Sequence, residues 1–583
     1  MTLLKKLLAV LVGSTVPAIV VAHWFSILAI TDPQTIVGAP VSQPVSTVVE
    51  WYCVNDQGGE DGPYSTSAEA ETPCGQFVAA DGETRYLEER VTTTSTTTQS
   101  TSTRRFEVLG STELRVTTAD ATMIMAAGPT STGGVPASAE CGGLDAEFWI
   151  GPSGNDANPG TQAQPWSLSA INDNSPTYAG AVVCVMDGTY NLITEFGQPS
   201  GASGHSQIGV VKVDGGTLGD PTVFVAQNIH QAIIDFDRDN VTTSSMQAAV
   251  QPLGDNVTID GFRFDNCNFR CITNFAGGGD NVTIQNNVFN DQLYITGNTE
   301  ANSAVIYNED HDDLVITNNY FYQGGAPLDF DRHAMIQTYQ ITNRVTITNN
   351  TFIGGSTDRS GPAYFAKAND TRDVEFAYNC YETYNSIDVL WYDWGDGSSA
   401  SSYDVHHNVF YRTTGTGWHF MQAADGDSVL GTWNIYNNTF IGPTTQSDTA
   451  GIQDLDNNPT QVNYYNNIYD SDSGGASLGD INLPALATIG TMDYNLWPSS
   501  RSVSITYTGG SASGLAAWQS ASTFGDNSIE GNPSYDSLSC DGGQGFTLAN
   551  GSAGENAGSD SSDMGAWGNG SHTYVGANFT FTP

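Results

Sequence analysis

The sequence is poor in positive charge. Four lysines occur in 583 residues, at positions 5, 6, 212 and 367, and Lys plus Arg total 18 against 63 for Asp plus Glu, a formal charge of −45. Such a surface repels phosphate backbones and anionic headgroups, which excludes nucleic acid as a partner and excludes any membrane contact except through the N-terminal segment. Also missing is any segment of ten or more residues with apolar side chains at a 3.6-residue period, so neither a helical bundle nor an alternating α/β layout is written here. P-loop, dinucleotide-binding and Ser-His-Asp hydrolase motifs are absent. The only long apolar run is the start, MTLLKKLLAVLVGSTVPAIVVAHWFSILAI, with two lysines ahead of it and the small residues Val20 and Ala22 at a possible cleavage point. Residues 1–30 read as an export signal or an uncleaved membrane anchor, and either places the body in an extracellular or cell-surface setting.

Cysteine is scarce but even in number. Eight cysteines agree with an oxidising compartment, and Cys53 with Cys74 and Cys267 with Cys271 are the expected disulfides. The CNFRC stretch is a poor zinc pattern, because its spacing is x3 and no second Cys or His pair lies nearby. Asn-x-Ser/Thr sequons stand at Asn281, Asn349, Asn437 and Asn569, which mark a glycoprotein only if exposed, since a chain rich in Asn and Thr produces them by chance.

What is abundant is Thr, Gly and Asn. Residues 45–135 carry TRYLEERVTTTSTTTQSTSTRRFEVLGSTELRVTT, which reads as a small β module or as a flexible, glycosylatable stalk. A Gly/Pro/Ser-rich linker, AAGPTSTGGVPASAECGG, closes it. Beyond it VTIQNNVF, LVITNNYF, VTITNNTF and WNIYNNTF repeat one phrase. Aligned on one asparagine, Asn287, Asn319, Asn350, Asn379, Asn408, Asn438, Asn467 and Asn495 follow at separations of 32, 31, 29, 29, 30, 29 and 28, by subtraction of their numbers. So regular a period predicts stacked units. Each reads as three short strands, one coil of a parallel β-solenoid, with equivalent turns about 4.8 Å apart and the Asn side chain bonding to its copies above and below. Asn also tolerates the left-handed backbone that a sharp turn between strands demands. Ile284, Phe289, Ile316, Phe321, Ile347, Phe352, Ile435 and Phe440 are expected to stack inside. The fold class is all-β: a right-handed parallel β-helix over residues 147–500, with residues 501–583 as a C-terminal capping segment.

The opening FWIGPSGNDANPGTQAQPWSLSAIN, the GTY and GTLGDPTVFVAQN phrases, the Asn-centred coils, and the closing MDYNLW, SIEGNPSYD and FTLANGSAGENAGSDSSDMGAWG together resemble the secreted right-handed parallel β-helix proteins of the pectate-lyase-like superfamily. The resemblance covers about 147–568. It implies the fold, but that superfamily joins polysaccharide lyases and glycosidases to spikes and adhesins without catalysis.

The Asn turn being structural, function is sought on another face. Aligning the strand that precedes each next coil gives an outward row: Tyr307, Gln337, Lys367, Trp391, Gln422 and Asp454, with His419 on the coil of Gln422. Amides and rings in a row suit sugar hydroxyls and pyranose faces, so the expected partner is an extracellular polysaccharide. The phrase AKANDTRDVEFAYNCYE resembles the lysine-bearing coil of some β-helix polysaccharide lyases. That resemblance implies β-elimination, with Lys367 as the base and Arg332 or His333 neutralising a uronate carboxylate. On the next coil one lyase family has a basic residue where this sequence has Trp391, Tyr392 and Asp393, which leaves Tyr392 as the candidate acid. Calcium is the other way to neutralise a uronate, with Asp310, Asp312 and Asp313, Asp329 and Asp331, or Asp393 and Asp396 as oxygen ligands. The motifs of an inverting polygalacturonase are not present in matching order. The competing class is a non-catalytic adhesin, spike or extracellular filament subunit that self-associates and uses the solenoid as a rigid spacer.

Overall fold

The recurring asparagine stands at one corner of every coil. The computed structural model describes strands within 46–124 by backbone alone, and residues 140–581 apart from connections, chief among them 198–208, 241–247, 291–303, 323–333, 355–362, 394–401, 413–418, 424–430, 443–452, 472–480 and 568–574. Contacts divide the chain into Met1–Ala127 and Gly128–Pro583.

The first unit holds a six-stranded antiparallel sheet, in spatial order Glu60–Tyr64, Ser46–Asn55, Arg85–Thr94, Gln99–Leu109, Glu113–Thr118 and Ala121–Ile124. The Thr-rich stretch forms a hairpin there, Thr94 pairing with Gln99 and Tyr86 with Glu107. The expected Cys53–Cys74 bridge and residues 1–30 lie outside the described residues.

The second unit is a right-handed parallel β-helix of three twelve-stranded sheets. Each coil contributes one strand to each sheet, as in Val282–Gln285 (sheet I), Val288–Asn290 (sheet II) and Ala304–Glu309 (sheet III), before Leu314–Thr317 returns to sheet I. Alternate side chains turn inward. Sheet I stacks Ile259, Ile284, Ile316, Ile347, Phe376, Val405 and Ile435 in register, all fully buried. Sheet II stacks Phe264, Phe289, Phe321 and Phe352 with ring centroids 5.1, 4.8 and 4.8 Å apart. Each stacked pair adds about 1 kcal/mol to the burial of its area.

At the corner between sheets I and II the asparagine ladder is continuous. Asn319 Oδ1 accepts from the backbone N–H (2.9 Å) and side-chain amide (3.1 Å) of Asn287, and Asn350 Oδ1 does the same for Asn319 at 2.9 and 3.0 Å. The pattern runs to Asn495, whose N–H ends it on Ser528 Oγ. One expectation needs correction: the left-handed residue is not the ladder asparagine but its predecessor, at φ 56° for Asn286, 53° for Asn318 and 55° for Asn349. Tyr378, His407 and Tyr494 occupy that position in other coils, so the stack imposes the left-handed turn even where no Asn favours it.

Both ends of sheet III are closed by the chain itself. Asn172 caps the first strand, donating to Val210 C=O and accepting from Lys212 N–H, while the Tyr178 hydroxyl bridges Lys212 C=O and Asp214 N–H. At the far end Gly510–Ser513 turns back antiparallel on Ser504–Tyr507, and the helix Leu515–Ala521 buries Trp518 beside it. Beyond that cap the C-terminal residues run back along the outside of sheet II. Gly565 N–H bonds Asn466 C=O, Ala566 N–H bonds Thr439 Oγ1, Gly576 N–H bonds Tyr378 C=O, and Ala577 N–H bonds Thr351 Oγ1. The segment expected only to cap is thus also a strap, fastened by Cys380–Cys540 across 160 residues. Cys267–Cys271 forms as expected, and Cys141–Cys184 pairs near the first coils.

Candidate functional site

Of the three outer faces, sheet II lies under the strap: Val409, Tyr411 and Ile441 are packed with Phe546, Ala566 and Val575. Sheets I and III remain.

Sheet III carries the row read from the sequence, with one correction. In-register pairing gives Thr273, Tyr307, Gln337, Phe365, Trp391, Gln422, Asp454 and Asn482. Lys367 is not in it. It pairs with Tyr339 below and Asp393 above, two residues further along the strand, and Phe365 takes its expected place. The sequence alignment had matched apolar residues across a coil whose strand starts two residues earlier. Tyr392 pairs with Ala366 and Ala423, one residue along the strand from the row, and His419 pairs with Asp388. Arg332, His333, Asp329, Asp331 and Asp396 lie outside the described residues. Lys367, Trp391, Asp393, Gln422 and Asp454 are placed by backbone register.

Tyr307 and Gln337, expected on an open groove, are both 0% exposed. Around Tyr307 is a buried polar cluster. The Arg270 guanidinium lies 3.3 Å from the centroid of the Tyr307 ring, the Tyr307 hydroxyl donates to Glu309 at 2.5 Å, and Arg270 donates to Thr273 Oγ1 at 3.3 Å. Burial pulls the Arg270 guanidinium down to about 9, against the opposing pull of Tyr307 and Glu309, so it stays charged at neutral pH. Burial likewise pushes the Glu309 carboxyl up, while the Tyr307 hydroxyl and Arg270 hold it down. Next in register Gln337 is buried with neither amide atom hydrogen-bonded. The sequence pattern marks Tyr307 and Gln337; Arg270 and Glu309 escape it because nothing local shows that charged side chains are folded under.

The acidic positions behave as corner fixtures. Asp312 Oδ1 accepts from the N–H and side-chain amide of Asn343 at 2.8 and 2.9 Å, and Asp313 is gripped by Arg344 at 2.5 and 2.7 Å. Asp310 is exposed at a left-handed residue, φ 61°. Among the described residues no group of three His, Cys, Asp or Glu side chains is gathered as a metal site. Of the sequons, Asn437 is 5% exposed and Asn281 bonds Asn256, both inside coil corners.

Sheet I presents a second cluster. His406, Tyr436 and Tyr465 stack coil on coil at 4.7 and 4.9 Å, and Tyr378 stacks on His407 at 4.8 Å. Glu375 lies 3.3 Å from His406 Nε2, and Asp404 accepts from Asn434 at 2.6 Å. Ring faces here are occupied by neighbouring rings, which leaves edges outward. The signal was visible as HHN at 406–408, where other coils read QNN, TNN, AYN, YNN or DYN. No protein-family model, curated protein or solved structure matches this chain.

Proposed function

We propose that the protein binds an extracellular polysaccharide along the outer side of sheet III, in the manner of the secreted β-helix proteins of the pectate-lyase-like superfamily. The observation that carries this reading is Gln337. A buried amide with both atoms unpaired costs about 1–3 kcal/mol, and among the described residues it has no partner. Neither amide atom is exposed, so binding requires the residues over Gln337 to part; two adjacent sugar hydroxyls then supply the donor and the acceptor it lacks, with Tyr307 one coil below and Trp391 two coils above in the same row. Sheet II is taken by the strap, and sheet I has its ring faces engaged, which leaves sheet III as the favoured face. Three disulfides among the described residues are compatible with an extracellular setting, and no described helix is long and apolar enough to cross a membrane.

Cleavage is a separate step of the proposal and rests on Lys367 with Asp393 next to it in register; it includes no calcium. The alternative of a fibre subunit stacking coil on coil is less favoured, because Asn172, Tyr178 and the returning hairpin already occupy the strand edges.

The test is affinity electrophoresis and calorimetry against a panel of neutral and uronate-bearing polysaccharides. Wild type should bind at least one, and Gln337→Leu should lose about ten-fold or more. If nothing on the panel binds, or Gln337→Leu binds equally well, the reading fails. For cleavage, unsaturated ends absorbing in the ultraviolet should accumulate with wild type and not with Lys367→Ala.

A further inference from the structure

The end of the strap comes to rest on an imidazole. Its hydrogen bonds descend the outside of the coils: Gly576 N–H bonds Tyr378 C=O, Ala577 N–H bonds Thr351 Oγ1, and Asn578 N–H bonds Asn318 Oδ1 at 2.8 Å. Below them Phe579 lies on His230, with ring centroids 4.4 Å apart and planes tilted by 48°. Phe579 and Phe581 both pack on Tyr320, at 6.2 and 5.8 Å. Under this tail Val288 and Tyr320 are 0% and 3% exposed, and Tyr322 and Ile353 pack beside them.

The protonation state of His230 follows from its partner. His230 Nε2 lies 2.8 Å from the Asn286 carbonyl oxygen, and a carbonyl only accepts, so the neutral ring carries its proton on Nε2. Nδ1 is then the atom that a second proton must occupy, and among the described residues nothing accepts a hydrogen bond from it.

The surroundings do not favour that second proton. The Arg263 guanidinium lies 5.1 Å from the centroid of Phe581 and is tied to Asp265 at 2.8 Å. The other charged groups around the imidazole are Asp260, which holds the Asn286 amide at 2.7 Å, and Asp187, which holds Asn228 two residues before His230 at 2.8 Å. The described residues of the tail bring no charge. Burial pulls His230 below its ordinary value; the Asn286 carbonyl pulls the other way, and Arg263 adds to the lowering. Phe579 gives a charged ring one tilted aromatic face in place of water, so hydrating the cation requires the tail to lift.

We infer that His230 is an acid-operated latch for the C-terminal tail: when the imidazole takes up a proton, the tail carrying Phe579 and Phe581 lifts from sheet II and bares the apolar patch around Val288 and Tyr320. The docked tail favours the neutral ring. The latch is therefore fully closed above the ordinary histidine value of about 6.5, and is lost as pH falls through the lower value of the docked state.

The experiment is hydrogen–deuterium exchange of the full chain at pH 7.5 and pH 5, corrected for intrinsic rates and read at the C-terminal peptide from Val575 onward. Wild type should lose about five-fold of its protection there at pH 5. His230→Gln keeps a side-chain donor for the Asn286 carbonyl but cannot charge, and should hold the tail equally at both pH values. A second measurement needs no change in the coils: Phe579→Ala frees the imidazole from the tail, and ring-proton NMR should show His230 titrating at a higher pH in that variant than in wild type. Tail protection that is the same at both pH values in wild type, a pH dependence that survives in His230→Gln, or a His230 titration unmoved by Phe579→Ala would each overturn the inference.

Discussion

Asn379 Oδ1 accepts two hydrogen bonds from Asn350, one from its backbone N–H at 2.9 Å and one from its side-chain amide at 3.1 Å. Asn350 in turn donates to Ile316 C=O and Thr348 C=O, so one amide ties together three coils. Asn350→Ala orphans the buried N–H of Asn319 and two carbonyls at once. The expected loss is about 4 kcal/mol of unfolding free energy, from several orphaned groups at about 1–3 kcal/mol each. Urea titration measures it, and a loss under about 1 kcal/mol would mean that the ladder is not a stabilising element.

Gln337→Leu separates function from stability. Because the amide is buried without partners, its replacement by an apolar group of similar size is expected to leave stability unchanged or raise it by about 1 kcal/mol. A melting temperature several degrees lower would show that Gln337 has a structural partner, and would remove the support it gives to polysaccharide binding.

Arg270→Met tests the buried cluster and its pH dependence. Glu309 has its carboxyl pushed up by burial, so its contribution to stability is full below the unfolded value of about 4.3 and is lost as pH rises through the folded one. Removing the guanidinium that holds it down moves the folded value further up. The variant should therefore be less stable by about 3 kcal/mol at pH 8 and recover part of that deficit at pH 5. Denaturant midpoints at the two pH values check this; a deficit that grows on acidification would contradict it.

Cys540→Ser releases the strap from Cys380. In the chain-entropy picture a closed loop of this length is worth up to about 5 kcal/mol, and the hydrogen bonds of Gly565 and Ala577 retain part of the attachment. Limited proteolysis should then cut the tail after residue 540 while strand content by far-ultraviolet circular dichroism stays the same. Loss of the coils themselves would show that the strap is needed to fold them.

The expected sugar row was legible in part. Tyr307, Gln337, Trp391, Gln422 and Asp454 align as their apolar neighbours predicted, because strand alternation fixes which residues share a face. Lys367 slipped out of the row because the length of the connection before each sheet III strand changes from coil to coil. No local pattern records where that strand begins. Arg270 and Glu309 were invisible for a different reason: their meeting depends on a register between coils 39 residues apart in the sequence.

The coil is written in the repeats. Its period of about 30 residues, the Asn at each corner and the apolar alternation suffice because a solenoid repeats local contacts with its nearest neighbours. Which outer face the strap covers, and which polar groups are buried, follow from contacts between distant segments. The strap over sheet II and the capped edge at Asn172 both depend on contacts between segments distant in sequence, and no repeat encodes them.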